Sequence, residues 1–469
     1  MIVQQMKTPL ISRLSIYQVG GLPGHSIAEH LLTIKTVLAR LEEIKEGFLF
    51  LVMDIISFFD KEDIYDCLET MEALEINKKA IRMWYLLNKN TKIRVKTAFG
   101  MSSEAEVGDC LGQGTGGAGL ISAANLDLGL QKSFNKSKAV MNFGQVRLQP
   151  LCYQDDVGTI CTSVEMARDQ AHKLSEMIKV KTLDAHPDKY GILILGSKSF
   201  KDKIERELKD DPIRLNNFKL KLKSQDKYLG QIIESNLNTC ALATVKDRAG
   251  KIKGAAMEVK QIIEDFQMQA LGGLAAAWEL WERAMIPSLL SGAGTWLGDV
   301  KETVKLCNTI QEFYWRTILK IPDSCPKLAL RCETFARDMQ WRIWEEKCLL
   351  LLRIQNLEEG SLANVVYQEA EDHGWPGLGR EVRQICKEIK IPDLNKHNML
   401  KKDVQQAIRV SHYEDMMSQF ESSRKLQDIK ESDFTCLQPY FNDKNLKNSR
   451  MKFKIRTKML DKVPGNLKN

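Results

Sequence analysis

Two adjacent carboxylates between two apolar runs are the residues of this sequence best suited to chemistry. Asp155 and Asp156 follow the mostly apolar residues 148–153, and a second apolar run, residues 157–161, follows them. This pattern predicts a tight β-hairpin with both carboxylates at its tip. Because neighbouring Asp side chains repel each other unless a cation lies between them, the pair indicates a divalent metal site.

A second adjacent pair, Asp210 and Asp211, serves as the sequence's own control. It lies between Lys209 and Pro212, a charged and turn-forming context that predicts an exposed loop. Two adjacent Asp residues are therefore weak evidence by themselves. The apolar flanks are what distinguish the first pair from the second.

Another carboxylate, Asp54, ends the apolar run of residues 47–53, which is typical of a strand buried on both faces. An acid at the end of a buried strand is costly unless something pairs with it, so Asp54 is a further candidate metal ligand. Asp60 is instead predicted to be the N-cap of a helix over residues 62–74.

The elements that must position these carboxylates follow one another as strand, helix, strand-turn-strand, helix and strand. This order resembles a split βαβ arrangement. It would bring Asp54 and the tip formed by Asp155 and Asp156 to one edge of a single sheet.

Two glycine-containing loops could contact ligands. Ser26 is predicted to cap a helix from residue 27 to about residue 45, and a phosphate contact of the preceding Gly/Pro loop is the alternative to a plain cap. Residues 108–119 contain a GxGxxG pattern, but no clean strand precedes it and no Lys-Ser/Thr pair closes a P-loop. We therefore expect a loop whose missing side chains let the backbone approach a polymer or an incoming nucleotide.

Strand signals fade after about residue 244. The Trp residues of this region are expected to pack in a core, with stacking on nucleic acid as the alternative. Helices are predicted over residues 244–266, 271–285, 300–319 and 332–355.

Composition bounds the class of protein. A chain of 469 residues with 43% hydrophobic content predicts two to four globular domains. The net charge of +7 is uneven, because residues 444–458 carry seven basic side chains and no acid. Such a run suits a phosphate backbone, and a solvated tail without a specific partner is the alternative.

The 11 cysteines show no zinc-site spacing and are expected to be reduced thiols. The sequence has no signal-peptide pattern and no apolar run of about 18 residues. We expect a soluble protein inside the cell, in the nucleus or the cytoplasm, with no membrane partner.

Five short stretches follow one another along the chain, namely Asp54 with Phe59 and Asp60, then Gln113-Gly114, Tyr153-Gln154-Asp155-Asp156, Lys189 and residues 227–230. In this order they resemble the reverse transcriptases of non-LTR (LINE-type) retrotransposons. Any one of the motifs is common, whereas five in this order are not. The likeness runs from about residue 18 to residue 233 and continues more weakly to about residue 355. The matching residues are Asp54 with Phe59 and Asp60 as motif A, Gln113-Gly114 as motif B, Tyr153-Gln154-Asp155-Asp156 as the Y-x-D-D motif C, Lys189 as the motif D lysine, and residues 227–230 as motif E.

The resemblance implies an α+β fold, the right-hand polymerase. Partial fingers and a split βαβ palm would occupy residues 1–233, a helical thumb residues 234–321, and a helical C-terminal extension with a basic tail residues 322–469. It also implies two Mg²⁺ ions held by Asp54, Asp155 and Asp156, together with an RNA template, a DNA primer and deoxynucleoside triphosphates.

Other roles come from the resemblance alone. Phe59 would exclude a ribose 2′-hydroxyl, and Lys189 would donate a proton to pyrophosphate. Gln113 would help to seat the template or the nucleotide, and Gly114 and Tyr153 are also expected to bind substrate.

The sequence departs from the family's pattern at several points. Cys110 stands where many relatives have the Gly that opens motif B, and His25 stands where they often have Arg. The chain begins inside the expected fingers, which predicts poor activity for this chain alone. We see no room for an endonuclease or an RNase H region.

Two other functions stay open. A non-catalytic, nucleic-acid-binding relic or domesticated scaffold would keep the palm fold and would tolerate replacement of Asp155 and Asp156 by Ala. An RNA-dependent RNA polymerase is the other alternative, and Phe59 argues against it. The oligomeric state is not predicted.

Overall fold

A computed structural model describes residues 2–55, 58–90, 92–106, 117–135, 137–138, 140–181, 183, 190–216, 218–265, 273–395, 399–423, 437–443 and 445–457. The chain divides into two compact units. The first comprises Met1–Leu237 and Ile354–Gly377, and the second comprises Asn238–Arg353 and Leu378–Asn469.

The first unit is of the mixed α+β class, as predicted. Its helices are α1 (Ile2–Ile11), α2 (Ile27–Glu43), α3 (Phe58–Lys61), α4 (Ile64–Ala73), α5 (Lys78–Asn88), α6 (Ala118–Phe134), α7 (Val164–Val180) and α8 (Lys198–Asp210), with a further helix at Leu362–Asp372. Its strands are β1 (Gly47–Asp54), β2 (Lys92–Ile93), β3 (Lys96–Thr97), β4 (Gly100–Met101), β5 (Ala105–Glu106), β6 (Met141–Phe143), β7 (Val146–Leu148), β8 (Leu151–Tyr153), β9 (Asp156–Cys161), β10 (Gly191–Gly196), β11 (Arg214–Leu215), β12 (Phe218–Lys219), β13 (Lys221–Lys223), β14 (Gln225–Tyr228) and β15 (Gln231–Glu234).

A five-stranded sheet in the order β13-β10-β1-β9-β8 forms the centre of this unit. The strand β1 is central and runs antiparallel to both neighbours, so that Phe50 lies opposite Leu193 on one side and Ile160 on the other. All of β1 except its last residue is buried. Its unbroken apolar run is what a strand covered on both faces requires, and the predicted strand is confirmed.

Hydrophobic clusters among the described residues stabilise the first unit. One combines inward side chains of the sheet with α6, α7 and α8. Another, smaller one joins α1, α4, α5 and α6. The residues that end β1 and begin β9 are therefore fixed on a packed scaffold rather than on a long loop.

The helix α2 begins where the sequence predicts. Ser26 accepts a hydrogen bond from the Ala28 N–H at 3.3 Å, and the Glu29 carboxylate accepts one from the Ser26 N–H at 2.8 Å. This capping box satisfies backbone donors at both ends of the first turn.

The predicted N-cap of the next helix is wrong. Asp60 lies within the short helix α3, and the N-cap of α4 is Asp63, whose carboxylate accepts a hydrogen bond from the Tyr65 N–H at 2.8 Å. The helix predicted from residue 62 therefore begins at Ile64.

All the regular elements of the second unit are helical in the part of the chain that the structure describes. Its α-helices are Leu237–Glu264, which starts in the first unit, Gly273–Leu280, Ile286–Leu289, Lys301–Leu319, Lys327–Thr334, Met339–Gln355, which ends in the first unit, Leu378–Glu388, Lys401–Ser422 and Leu446–Arg456. A π-helical turn lies at Trp281–Met285, and 3₁₀ turns lie at Ala293–Thr295 and Pro439–Asn442.

One predicted helix of this unit is broken. Instead of a single helix over residues 332–355, the chain forms Lys327–Thr334 and Met339–Gln355, and Phe335 between them has the left-handed φ of +51°. Trp281, Trp296 and Trp315 are fully buried in its core, as expected, whereas Trp278, Trp341 and Trp344 are half-buried.

The basic C-terminal run is partly folded into the second unit. Phe453 of the helix Leu446–Arg456 is buried, Arg450 lies 2.9 Å from the Glu264 carboxylate, and Arg456 lies 2.8 Å from that of Glu333. These arginines therefore have acidic partners inside the protein.

None of the helices that the structure describes combines the length and hydropathy of a membrane-spanning segment. The cysteines in the described residues are buried and free of disulfide bonds.

Candidate active site

Two neighbouring strands place carboxylates at one edge of the sheet. Asp54 is the last residue of β1, Asp156 is the first of β9, and the antiparallel register sets them directly opposite each other. Asp156 is also the partner of Tyr153 in the β8–β9 hairpin. The predicted hairpin and the predicted shared edge are both confirmed.

Asp155 lies in the two-residue turn of this hairpin, between β8 and β9. The residue before it, Gln154, has a φ of +56°. For a residue with a side chain, this left-handed conformation costs about 1–3 kcal/mol and persists only where surrounding contacts offset that cost. The residues that contact this turn therefore also position Asp155.

Residues 17–19 lie alongside β8 and pair with it. The Cys152 N–H donates to the Tyr17 carbonyl at 2.9 Å, and the Val19 N–H donates to the Cys152 carbonyl at 3.1 Å. This short parallel bridge continues the sheet beyond β8. It seats Gln18 beside the turn.

The Gln18 side chain is buried and its amide makes hydrogen bonds with three residues. Its Oε1 accepts from the Gln154 N–H at 3.1 Å and from the Gly20 N–H at 2.9 Å. Its Nε2 donates to the Cys152 Sγ at 3.0 Å. The Cys152 thiol in turn donates to the Gln154 carbonyl at 3.1 Å, and burial raises the pKa of this thiol well above its usual range, so that it keeps its proton.

Two glycines make this packing possible. A Cβ on Gly20 would lie 2.2 Å from the Gln154 backbone nitrogen, so only glycine allows the approach. A Cβ on Gly158 in β9 would lie 2.6 Å from Cζ of Phe50 and 3.1 Å from Cζ of Tyr228. The strand that carries Asp156 is thus packed tightly against aromatic rings.

Tyr228 belongs to the predicted motif E and lies close to this edge. Its ring contacts that of Phe50 edge-on, with centroids 5.2 Å apart. Its hydroxyl is buried and has no hydrogen-bond partner among the described residues. Burial, and next the negative charge of Asp156, raise the pKa of this hydroxyl well above its usual range.

His30 also contacts residues 17–19, through a hydrogen bond to the backbone of Tyr17. Its Nε2 lies 3.0 Å from the Tyr17 carbonyl, the same carbonyl that accepts from Cys152, and its ring meets Tyr153 edge-on at 6.4 Å. Complete burial lowers the pKa of His30 to about 3, so the neutral imidazole donates through Nε2.

The donor set at the edge suits a hard divalent cation in kind, because Asp54, Asp155 and Asp156 offer only carboxylate oxygens. Their side chains are half-buried. Among the residues that the structure describes, however, no three His, Cys, Asp or Glu side chains are gathered so as to hold a metal ion. Carboxylate oxygens are suitable ligands for Mg²⁺. In this structure, however, the three side chains do not point toward a common position that an ion could occupy.

The control pair is exposed, as predicted, but only Asp211 lies in a loop, because the helix α8 extends through Asp210. Asp210 ends α8, and Asp211 after it is 74% exposed and forms an ion pair with Arg168 at 2.9 Å. It therefore differs from Asp155 and Asp156 in both exposure and strand context.

Several predicted site residues cannot be compared with the structure. Gln113, Gly114 and Lys189 lie outside the described residues, as does the side chain of Phe59.

Gln18 is a residue of the site that the sequence interpretation missed. The Gly20-Gly21 pair that follows it was the only local signal, since such a pair permits close backbone approach.

No protein-family model matches the sequence, and no curated protein sequence matches it. Among solved structures, apo telomerase from Candida tropicalis truncated from its C-terminal domain has a TM-score of 0.36 at 12% identity, covering 50% of this chain and 43% of its own. Telomerase from Candida albicans in complex with the TWJ fragment of telomeric RNA has a TM-score of 0.37 at 11% identity, covering 78% and 58%.

The chain thus spans about half the length of the telomerase chains that it matches. TM-scores this low do not establish a shared fold.

Proposed function

We propose that this chain is an RNA-directed DNA polymerase of the non-LTR retrotransposon kind, which extends a DNA primer on an RNA template with deoxynucleoside triphosphates. The observation that carries the proposal is the strand register that sets Asp54 opposite Asp156, with Asp155 in the adjoining turn. The order of the five sequence motifs around these residues supports it further.

In this proposal Asp54, Asp155 and Asp156 hold two Mg²⁺ ions. When bound, the ions supply Lewis-acid stabilisation of the attacking primer oxygen and the leaving pyrophosphate. The protein's own contribution is rigidity. Asp54 is fixed by the central strand β1, and Asp156 by the hairpin that pairs with it.

The remaining roles are proposed from the motifs. Phe59 excludes a ribose 2′-hydroxyl, and Gln113, Gly114 and Tyr153 seat the template and the incoming nucleotide. Lys189 donates a proton to the leaving pyrophosphate.

The predicted division of labour along the chain is part of the same proposal. Residues 1–233 act as partial fingers and palm, residues 234–321 as a thumb, and residues 322–469 as a helical extension. The chain works inside the cell, in the nucleus or the cytoplasm.

Primer extension by the purified full chain tests the proposal. We expect extension of a DNA primer on an RNA template with Mg²⁺ and deoxynucleotides, and much weaker extension with ribonucleotides. A Phe59→Val variant should gain ribonucleotide incorporation, because the smaller side chain leaves room for the 2′-hydroxyl. Efficient use of ribonucleotides by the unmodified protein would instead favour an RNA polymerase, and binding of the primer–template without extension would favour a non-catalytic relic.

A further inference from the structure

The turn that carries Asp155 has an unusual dependence on one side chain outside the hairpin. We infer that Gln18 is a positioning residue of the polymerase reaction, because it holds the backbone of the Gln154-Asp155 turn, from which the Asp155 and Asp156 side chains would reach the ions. The inference rests on the proposed function.

The Gln18 side chain forms hydrogen bonds through both its amide oxygen and its amide nitrogen, and these bonds reach Gln154 in the turn and Cys152 before it. Its Oε1 binds the Gln154 N–H, and its Nε2 binds Cys152, whose thiol returns to the Gln154 carbonyl. Gln154 therefore has both of its backbone polar groups fixed through Gln18. Because Gln154 has a φ of +56°, these bonds hold a conformation that the residue would otherwise seldom adopt.

The backbone on either side of Gln18 is itself held by hydrogen bonds. Its neighbours Tyr17 and Val19 pair with Cys152, and the Gly20 N–H donates to the Gln18 Oε1. With relative exposure of 1%, Gln18 has little access to water that could replace these bonds. The side chain thus transfers the rigidity of the sheet edge to the turn.

A Gln18→Met variant removes the amide and keeps nearly the same shape. The buried Gly20 N–H and the half-buried Gln154 N–H then lose their acceptor, and the turn is expected to shift. Small misplacements of catalytic groups are costly, so we expect kcat to fall about 10- to 100-fold. The KM for deoxynucleotides should change little, because the variant alters carboxylate placement rather than nucleotide binding.

Cys152 provides a second, independent variant. Cys152→Ala removes the link between Gln18 and the Gln154 carbonyl and should lower kcat in the same direction. Cys152→Ser keeps a group that both accepts and donates, and should retain most activity. The Gln18→Met, Cys152→Ala double variant should lose less than the two single losses combined, because both act through the same turn.

Gln311 offers a matched control in the second unit. It is buried, with relative exposure of 2%, and donates through Nε2 to the Arg337 carbonyl at 3.0 Å. Gln311→Met therefore replaces the amide of another buried glutamine and removes its hydrogen bond to Arg337 without touching the turn. We expect reduced stability from it and unchanged kcat per folded molecule.

Hydrogen–deuterium exchange of the peptide that contains Gln154 provides a readout independent of activity. Gln18→Met should speed exchange there, and Gln311→Met should not. Unchanged exchange, or faster exchange with an unaltered kcat, would overturn the positioning role of Gln18 while leaving the polymerase proposal intact. A wild-type chain that extends no primer would overturn the proposed function, and the inference with it.

Discussion

At the scale of single residues, close packing around the candidate site depends on glycine. Gly158 lies in the strand of Asp156, and a methyl group there would meet the rings of Phe50 and Tyr228. Neither ring can retreat easily, since both are buried. The loss of stability on adding a side chain at Gly158 therefore measures how tightly this strand is packed.

We predict that Gly158→Ala lowers the free energy of unfolding by about 1–3 kcal/mol, the usual cost of overpacking. The control is Gly254→Ala in the helix Leu237–Glu264, where nothing lies within 4 Å of an added Cβ. That variant should raise stability by about 0.5–1 kcal/mol, because alanine is the better helix former. Urea denaturation measures both, and equal effects of the two substitutions would contradict the packing described.

His30 gives a prediction about pH. Its pKa is about 3 in the folded protein and 6.5 as the ordinary value, so the unfolded chain binds more protons between these limits. The contribution of neutral His30 to the free energy of unfolding is fully present above about pH 6.5 and decreases as the pH falls. At pH 5 the loss is about 2 kcal/mol.

A His30→Gln variant keeps a donor for the Tyr17 carbonyl and removes the titration. We expect its unfolding free energy to decline less than that of the wild type between pH 7 and pH 5. His412 also has a lowered pKa, about 4, and adds a loss of the same sign to both proteins. The difference between the two proteins is therefore the relevant measurement, and parallel pH profiles would exclude His30 as the cause.

At the scale of secondary-structure elements, local patterns predicted most of what surrounds the site. The apolar run of β1, the Ser26 cap of α2 and the β8–β9 hairpin each depend on residues close in sequence, and each is found. Their signals are periodicity and capping, which need no knowledge of the fold.

The misses have a common physical cause. Asp60 and Asp63 are both chemically able to cap a helix, and the choice between them is made by packing that the sequence pattern does not contain. The left-handed Phe335 interrupts a helical pattern without glycine or proline. Gln18 was missed because its partners Cys152 and Gln154 are more than a hundred residues away.

The C-terminal helix Leu446–Arg456 yields a prediction at this scale. Arg456 faces the Glu333 carboxylate, which is only 1% exposed, so Arg456→Ala leaves a buried charge with weaker compensation. We expect a loss of about 2 kcal/mol in unfolding free energy. Lys447→Ala on the exposed side of the same helix should change stability by less than about 0.5 kcal/mol, and thermal denaturation of the two variants tests the difference.

At the scale of the whole molecule, the mixed α+β class and the meeting of Asp54 with Asp156 could be predicted from the order of the elements. The pairing of residues 17–19 with β8 could not, because this segment has no strand pattern of its own. The ion pairs of Arg450 and Arg456 could not be predicted either, because their partners Glu264 and Glu333 are distant in sequence. Net charge along the chain is therefore a poor guide to which basic residues are available to a phosphate backbone.

The central claim is that the carboxylates at this sheet edge carry out polymerisation. The sequence contains a matched test, because Asp155-Asp156 and Asp210-Asp211 are the same dipeptide in different settings. Both pairs can be replaced by Ala-Ala in the full chain, with circular dichroism to verify folding.

The decisive measurement is primer extension on an RNA template with Mg²⁺ and deoxynucleotides by these two double variants and the wild type. We predict that Asp155→Ala with Asp156→Ala abolishes extension, whereas Asp210→Ala with Asp211→Ala leaves the rate unchanged. Extension that persists without Asp155 and Asp156, or that is lost equally in both variants, would contradict the assignment of the active site.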